Sequence, residues 1–265
     1  MAKIHLPGVE YSHRCDTTVT EKLNTRHCHD SYEILFVVDG KGRYLVEGVE
    51  FILAPRTLMF IRPFQYHCVE LDPASTYDRY VINFSPNAVV GEVSDVLAHL
   101  FDEASGESGN FYSSDSLPQT IVSIFDKFEQ IDRMPETERG LFGRLLLSEL
   151  VLTLSAAGTQ KISHSDGELG ARIINYINEY IDSNISLDNL AKRFFVSKYY
   201  LCRSFKKYSG VSIHAYVNHK RVMYAKQLID SGETASGAAY KVGFGDYSAF
   251  YRAYVKIVGK TPTSK

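Results

Sequence analysis

From His27 to Ser85 the apolar positions fall in short runs rich in β-branched and aromatic residues: YEILFVVD, RYLVEG, EFILAP, TLMFIRP, YHCVEL and RYVINFS. Turn signals such as Asp39-Gly40 and Glu47-Gly48 part them, and this pattern predicts a β-meander or barrel. Residues 102–116, DEASGESGNFYSSDS, are polar and rich in Gly and Ser, and read as a loop. The period then changes. Leu117 to Ile131 places Ile121, Ile124, Phe125 and Phe128 on one side of a helix, and a second helical pattern runs from Thr137 to Ala156. The second pattern carries Leu141, Leu145, Leu146, Leu147, Leu150, Leu152 and Leu154, so more than one of its faces must be covered. It reads as a core helix or as a seam between two subunits.

Past residues 157–167, AGTQKISHSDG, which read as a linker, every segment has helical period. Ile173, Ile177 and Ile181 form a first stripe. Ser186 can cap a second helix with Leu187, Leu190, Ala191 and Phe194 on its inner side, and a tight break follows at Phe195-Val196. Ser197 then caps a third helix in which Leu201 and Phe205 point inward. Tyr199, Cys202, Arg203 and Lys206 are left on its opposite face, a helix-turn-helix pattern whose outer face is free to enter a major groove. The pattern recurs. Leu201, Phe205 and Gly210 return 49 residues later as Phe250, Tyr254 and Gly259, and Arg203 and Lys207 return as Arg252 and Lys256. In this second copy the turn is Gly243-Phe244-Gly245, the cap is Gly245 or Asp246, and the outer face holds Tyr247, Ser248, Tyr251 and Arg252. Ser212 to Asp230 forms a helical spacer between the copies, about 28 Å long at 1.5 Å per residue. That approaches the ~34 Å between successive major grooves on one face of B-DNA.

Charge sharpens this division. The chain has 29 Lys+Arg and 31 Asp+Glu, a net charge of -2. Residues 168–265 hold 15 basic against 7 acidic side chains and residues 1–167 hold 14 against 24, so the tail is +8 and the head -10. A cationic tail of this kind is suited to a polyanion. Cys15, Cys28, Cys68 and Cys202 include no CxxC pair and suggest reduced thiols. The apolar run from Leu145 to Ala157 is interrupted by Ser148, Glu149, Thr153 and Ser155 and falls short of the ~20 residues of a membrane span. MAKIHLPGVE at the start has no apolar signal core. A soluble, cytoplasmic protein without membrane partners is expected.

ISLDNLAKRFFVSKYYLCRSFKKYSGVS, AYVNHKRVMYAKQLI and AYKVGFGDYSAFYRAYVKIVGKTP together resemble the AraC family of bacterial transcription regulators over the whole tail. The resemblance implies two helix-turn-helix units on one linker helix, binding promoter DNA, with RNA polymerase as a further partner. Arg203 and Arg252 suit bidentate contacts to guanine O6 and N7, whereas Lys198, Lys206 and Lys256 suit phosphates. Tyr199, Tyr247 and Tyr251 suit thymine methyls, phosphates or simple packing between helices. Two departures from the family pattern, Ala238 before Ala239 and Val255 in place of a lysine, lead us to expect more sequence reading from the first unit.

The head contains RHCHDSYEILFVVDG and FIRPFQYHCVEL. His27 and His29 share one face of an extended strand, and a meander can bring Glu33 and His67 to the same point. Three imidazoles and a carboxylate are a donor set for Zn, Mn or Fe(II). Residues 27–40 closely, and 55–67 loosely, resemble the two motifs of the cupin barrel. That resemblance implies one of three things: a metal-free effector pocket for a small metabolite such as a sugar, a metal-containing sensor or enzyme, or histidines satisfied inside a barrel. Cys28 and Cys68, each beside a histidine, are either redox-sensitive or buried and inert.

The expected protein is thus multidomain and non-enzymatic: a cupin-like all-β effector barrel over 1–110, a helical dimerisation segment over 111–157, a linker over 158–167 and an all-α DNA-binding domain over 168–265. A homodimeric, ligand-responsive regulator without a resident cofactor is the leading reading. A metal-dependent cupin enzyme or metal sensor fused to a DNA-binding domain is the alternative.

Overall fold

The structure is a computed structural model and describes residues 2–17, 26–72, 75–102, 110–157 and 169–263. The expected linker over 158–167 lies outside the described residues. The chain divides into two compact units, Met1–His27 with Ser31–His164, and Ser165–Lys265 with Cys28–Asp30.

The N-terminal unit begins with two strands that the apolar pattern did not predict, β1 (Ala2–Leu6) and β2 (Val9–Asp16). The predicted runs follow as β3 (Tyr32–Asp39), β4 (Gly42–Val46), β5 (Val49–Leu53), β6 (Leu58–Ile61), β7 (His67–Leu71) and β8 (Tyr77–Phe84). Between β4 and β5, Glu47 (φ 50°) and Gly48 (φ 87°) both adopt positive φ, the tight turn whose twist suits a hairpin. Residues 102–116 are not all loop: Asn110–Tyr112 forms β9 and pairs antiparallel with β6. The strands build a six-stranded sheet in the order β1-β2-β8-β3-β6-β9 and a three-stranded sheet β5-β4-β7.

Alternation along the strands assigns two cores. Odd positions of β3, Leu35 and Val37, join Met59, Ile61 and Tyr44, Val46, Phe51, Leu53 and Val69 between the two sheets. Even positions, Ile34 and Phe36, join Phe60, Tyr80, Ile82 and Phe84 against helices. Over positions 34–37 β3 is therefore buried on both faces, which is why its ILFV reads as an unbroken apolar run. The covering helices are α1 (Val93–Asp102), α2 (Ile121–Glu129) and α3 (Glu136–Ala157). The predicted inner side of α2, Ile121, Ile124, Phe125 and Phe128, is fully buried.

α3 spans 22 residues, and among the described residues it is the one helix long and apolar enough to cross a membrane. This corrects the expectation that its apolar run is too short. Leu146, Leu147, Leu150, Val151 and Leu154 are spent on the core of the unit. Leu141, Leu145 and Leu152 remain 61%, 49% and 47% exposed on another face. The helix thus serves as a core helix and also carries an outward apolar stripe.

The C-terminal unit is all helical: α4 (Leu169–Glu179), α5 (Leu187–Phe194), α6 (Lys198–Ser209), α7 (Ile213–Asp230), α8 (Ala235–Lys241) and α9 (Tyr247–Val258). Ser186, Ser197 and Ser212 cap α5, α6 and α7, each hydroxyl accepting a hydrogen bond from the amide three residues on. α6 and α9 both end on a left-handed glycine, Gly210 and Gly259.

Two substitutions test the layered core. Phe36→Ala, which opens the sheet–helix core at a fully buried ring, should cost about 3–5 kcal/mol. Tyr112→Phe should leave thermal stability unchanged or higher, because the Tyr112 hydroxyl is buried without a hydrogen-bond partner among the described residues. A clear fall in melting temperature for Tyr112→Phe would contradict that placement.

Candidate DNA interface and sensor pocket

α5 ends at Phe195, whose left-handed backbone (φ 56°, ψ 42°) turns the chain sharply into α6. Leu201 and Phe205 of α6 are fully buried, and Phe205 meets Tyr216 of α7 edge-on at 5.5 Å. With that side fixed inward, Lys198, Tyr199, Arg203 and Lys206 are exposed as predicted, Tyr199 at 75%. Cys202 is half-buried, so it sits at the edge of the predicted face and not in its middle. Lys198 forms an ion pair with Asp188 of α5 at 2.6 Å. Tyr200 and Lys207, left out of the predicted interface, are also exposed. With Arg203 and Ser204 they line a cleft of about 290 Å³ beside Leu169 and Gly170.

The second copy is built the same way with a different cap. Asp246 accepts from the amides of Ser248 (2.8 Å) and Ala249 (3.0 Å), which decides between the two predicted caps. Phe250 and Tyr254 are buried, while Ser248, Tyr251, Arg252 and Lys256 are exposed. Tyr247 is half-buried with its ring 5.7 Å from that of Phe250, so packing claims part of it. Ala238 and Ala239 are buried in a core with Val222, Ala225, Val242 and Phe244.

Between the copies, the Arg221 guanidinium of α7 donates to three backbone carbonyls. Nε reaches Ile181 O at 2.9 Å and Nη2 reaches Ser183 O at 2.6 Å, both between α4 and α5. Nη1 reaches Gly243 O at 2.8 Å, in the turn between α8 and α9. Gly243 has φ 88°, and a Cβ there would lie 2.6 Å from Asp182 O and 2.8 Å from Arg221 Nη2.

In the N-terminal unit three of the predicted residues, His27, Glu33 and His67, converge, with the His27 and His67 rings 4.5 Å apart; His29 belongs to the stretch Cys28–Asp30 grouped with the other unit. His27 and His67 exchange backbone hydrogen bonds of 3.0 and 2.8 Å, which ties His27 to the start of β7. Glu33 Oε1 accepts from the Tyr44 hydroxyl at 3.0 Å, and Glu33 Oε2 lies 4.0 Å from His67 Nε2. His67 Nδ1 is 2.8 Å from the Gln65 carbonyl, which only accepts, so Nδ1 carries the proton and Nε2 is the atom turned toward Glu33. Burial, then the Glu33 carboxylate, holds the Tyr44 phenol well above its ordinary pKa, so Tyr44 stays a donor. Tyr44, which the sequence did not single out, joins the site as the donor to Glu33. Burial pushes the Cys68 thiol up as well, which favours the inert reading of that cysteine.

A β-sheet unit with a polar cluster between its sheets and a helical unit with two repeated helix-turn-helix elements define the class: a ligand-binding transcription regulator that holds DNA. The sequence profile of the AraC-like ligand binding domain matches residues 7–155, and that of a helix-turn-helix domain matches residues 190–264. The chain belongs to the AraC family. It is 27% identical over 224 residues to the HTH-type transcriptional regulator YbfI of Bacillus subtilis (strain 168), covering 84% of this chain and 79% of that protein. It is 24% identical over 232 residues to the HTH-type transcriptional activator RhaS of Klebsiella pneumoniae (strain 342), covering 84% and 81%. Among solved structures it is similar to ToxT of Vibrio cholerae, at 11% identity and TM-score 0.42 over 97% of both chains.

Two substitutions separate reading from grip on the exposed face of α6. Arg203→Ala should weaken binding to the specific site by about 1–3 kcal/mol and leave non-specific binding nearly unchanged. Lys206→Ala should weaken both and reduce the slope of log K against log salt by about one. Equal losses on every DNA sequence for Arg203→Ala would refute its assignment as a base reader.

Proposed function

We propose that this protein is a metabolite-responsive promoter-binding regulator whose effector is a small polyhydroxylated molecule, a sugar, held between the two sheets of the N-terminal unit. The observation that carries this reading is the buried Glu33–Tyr44 pair beside His67, set among apolar walls. A carboxylate accepts from neighbouring hydroxyls of a sugar while a phenol and an imidazole supply complementary partners, and the apolar walls cover the ring faces. The effector acts by its different affinity for states that differ in DNA binding. The protein is cytoplasmic and not an enzyme. It works as a homodimer paired through Leu141, Leu145 and Leu152 of α3, and its promoter-bound form meets RNA polymerase.

A second reading has its own support. His67 Nδ1 donates to a backbone carbonyl, the arrangement that commonly orients a metal-bound imidazole, and the His27 ring lies 4.5 Å from that of His67 with Glu33 close by. In a metal-containing sensor His27, His29, His67 and Glu33 would hold a divalent transition metal, which would supply a Lewis-acidic anchor for an effector oxygen.

Two experiments decide among these readings. In a thermal-shift panel of monosaccharides against the intact protein, one sugar should raise the melting temperature of the wild type, and Glu33→Gln should abolish the shift. A panel with no stabilising sugar sinks the sugar assignment. Elemental analysis that finds one equivalent of metal, lost in a His27→Ala, His67→Ala double variant, would favour the second reading. For the pairing, Leu145→Glu should convert a dimer to a monomer in sedimentation; an unchanged sedimentation coefficient would remove α3 as the seam.

A further inference from the structure

We propose that Arg221 fixes the spacing between the two recognition helices, and so sets the separation of half-sites that the protein accepts on DNA. This rests on the reading of α6 and α9 as the DNA-contacting helices. α7 gives the two helix-turn-helix elements a common axis of 18 residues, about 27 Å. Its length alone does not fix their relative rotation. A swing of about 10° at one end of such a lever moves the other end by roughly 5 Å, more than the ~3.4 Å rise of one base pair. The spacing needs a lock near the pivot.

Arg221 has the features of that lock. It is 9% exposed, near the middle of α7, and its fork reaches main chain on both sides. Ile181 O and Ser183 O belong to the loop that leads into α5 of the first element; Gly243 O belongs to the turn that leads into α9 of the second. Carbonyl acceptors tie the side chain to backbone position and not to another mobile side chain. The planar guanidinium holds its donors at fixed angles, which a lysine ammonium on a flexible stem does not. Gly243 lets the two backbones approach until a Cβ would collide with Asp182 O, so the elements meet directly at the lock. Arg221 is thus a positioning residue: it touches no DNA and acts through α6 and α9.

The test uses the full chain and an operator selected from a random DNA pool, with derivatives carrying one base pair inserted or deleted between the half-sites, or one half-site scrambled. The wild type should lose about a hundredfold in affinity when a base pair is inserted or deleted, since only one helix can then engage. Arg221→Met should bind all spacings within about threefold of one another, while its affinity for the single half-site stays at the wild-type value. Arg221→Lys should fall between. Should Arg221→Met fail to fold, Gly243→Ala decides, since it keeps the guanidinium but forces the two backbones apart; it should move the preferred spacing. Full spacing discrimination in Arg221→Lys together with an unchanged preferred spacing in Gly243→Ala, or equal loss on single and double half-sites, would overturn the proposal. A wild type that selects no sequence at all would instead overturn the DNA-reading assignment beneath it.

Discussion

The C-terminal unit depends on a buried cation, Arg221, which among the described residues is held by backbone carbonyls and not by a carboxylate. Three carbonyls from two separate turns converge on the Arg221 guanidinium, and α7 carries it between them. Burying a guanidinium is costly unless its donors are satisfied, and here backbone acceptors satisfy them. The same helix lends Tyr216 to the core of the first element and Val222 and Ala225 to that of the second. Each element therefore completes its core with part of a helix it shares, and the two are geometrically one object.

The sequence shows most clearly what is locally determined. Ser186, Ser197 and Ser212 as caps, and Gly210 and Gly259 as terminators, were legible because each acts within one turn of its own position. The 49-residue repeat carried the inward and outward sides of α6 onto α9. The errors came where neighbours distant in sequence decide. β2 owes its place in the sheet to β8, about seventy positions on, and β1 only adds to β2 at the edge; AKIHL and VEYSHRCD show little of the β-rich run that marks the later strands. β9 is three residues long and is recognisable only by its partner β6. Cys202 and Tyr247 were placed outward by helical geometry, yet both are half-buried. Arg221 carried a signal that was not used: Val217 four before it and Ala225 four after it put a charged residue in the middle of a buried stripe.

The N-terminal unit combines a strong constraint with a local exception. β3 is covered on both faces, so every position along it is expected to be apolar. Glu33, near its start, breaks that rule at 8% exposure and is held by the Tyr44 hydroxyl. A carboxylate in such a place is tolerated where its partners are fixed, and Tyr44 and His67 arrive on β4 and β7 of the opposite sheet. Residues that violate the pattern of their own strand, and converge from separate strands, are where function is expected to reside. The histidine spacing in the sequence already hinted at this convergence, whereas the role of Tyr44 required the strand pairing to be known.

The two recognition helices are alike in shape and unequal in charge. α6 exposes Lys198, Arg203, Lys206 and Lys207 behind a neutral serine cap, and of these Lys198 is engaged with Asp188. α9 exposes Arg252 and Lys256, has Val255 where the first copy has Lys206, and begins at a carboxylate, Asp246. Both oxygens of that carboxylate accept from cap amides, so it stabilises the helix while placing a negative charge at its N-terminal tip. Each phosphate contact adds about 0.9 to the salt slope, so in the proposed DNA-bound form the surplus of cations would give α6 the larger share of sequence-independent affinity. With one grip strong and the other weak, the second helix would then contribute mainly when its half-site lies at the distance the shared helix imposes. Under that arrangement the proposed pivot at Arg221 would have more influence on which DNA is chosen than any single contact made by α9.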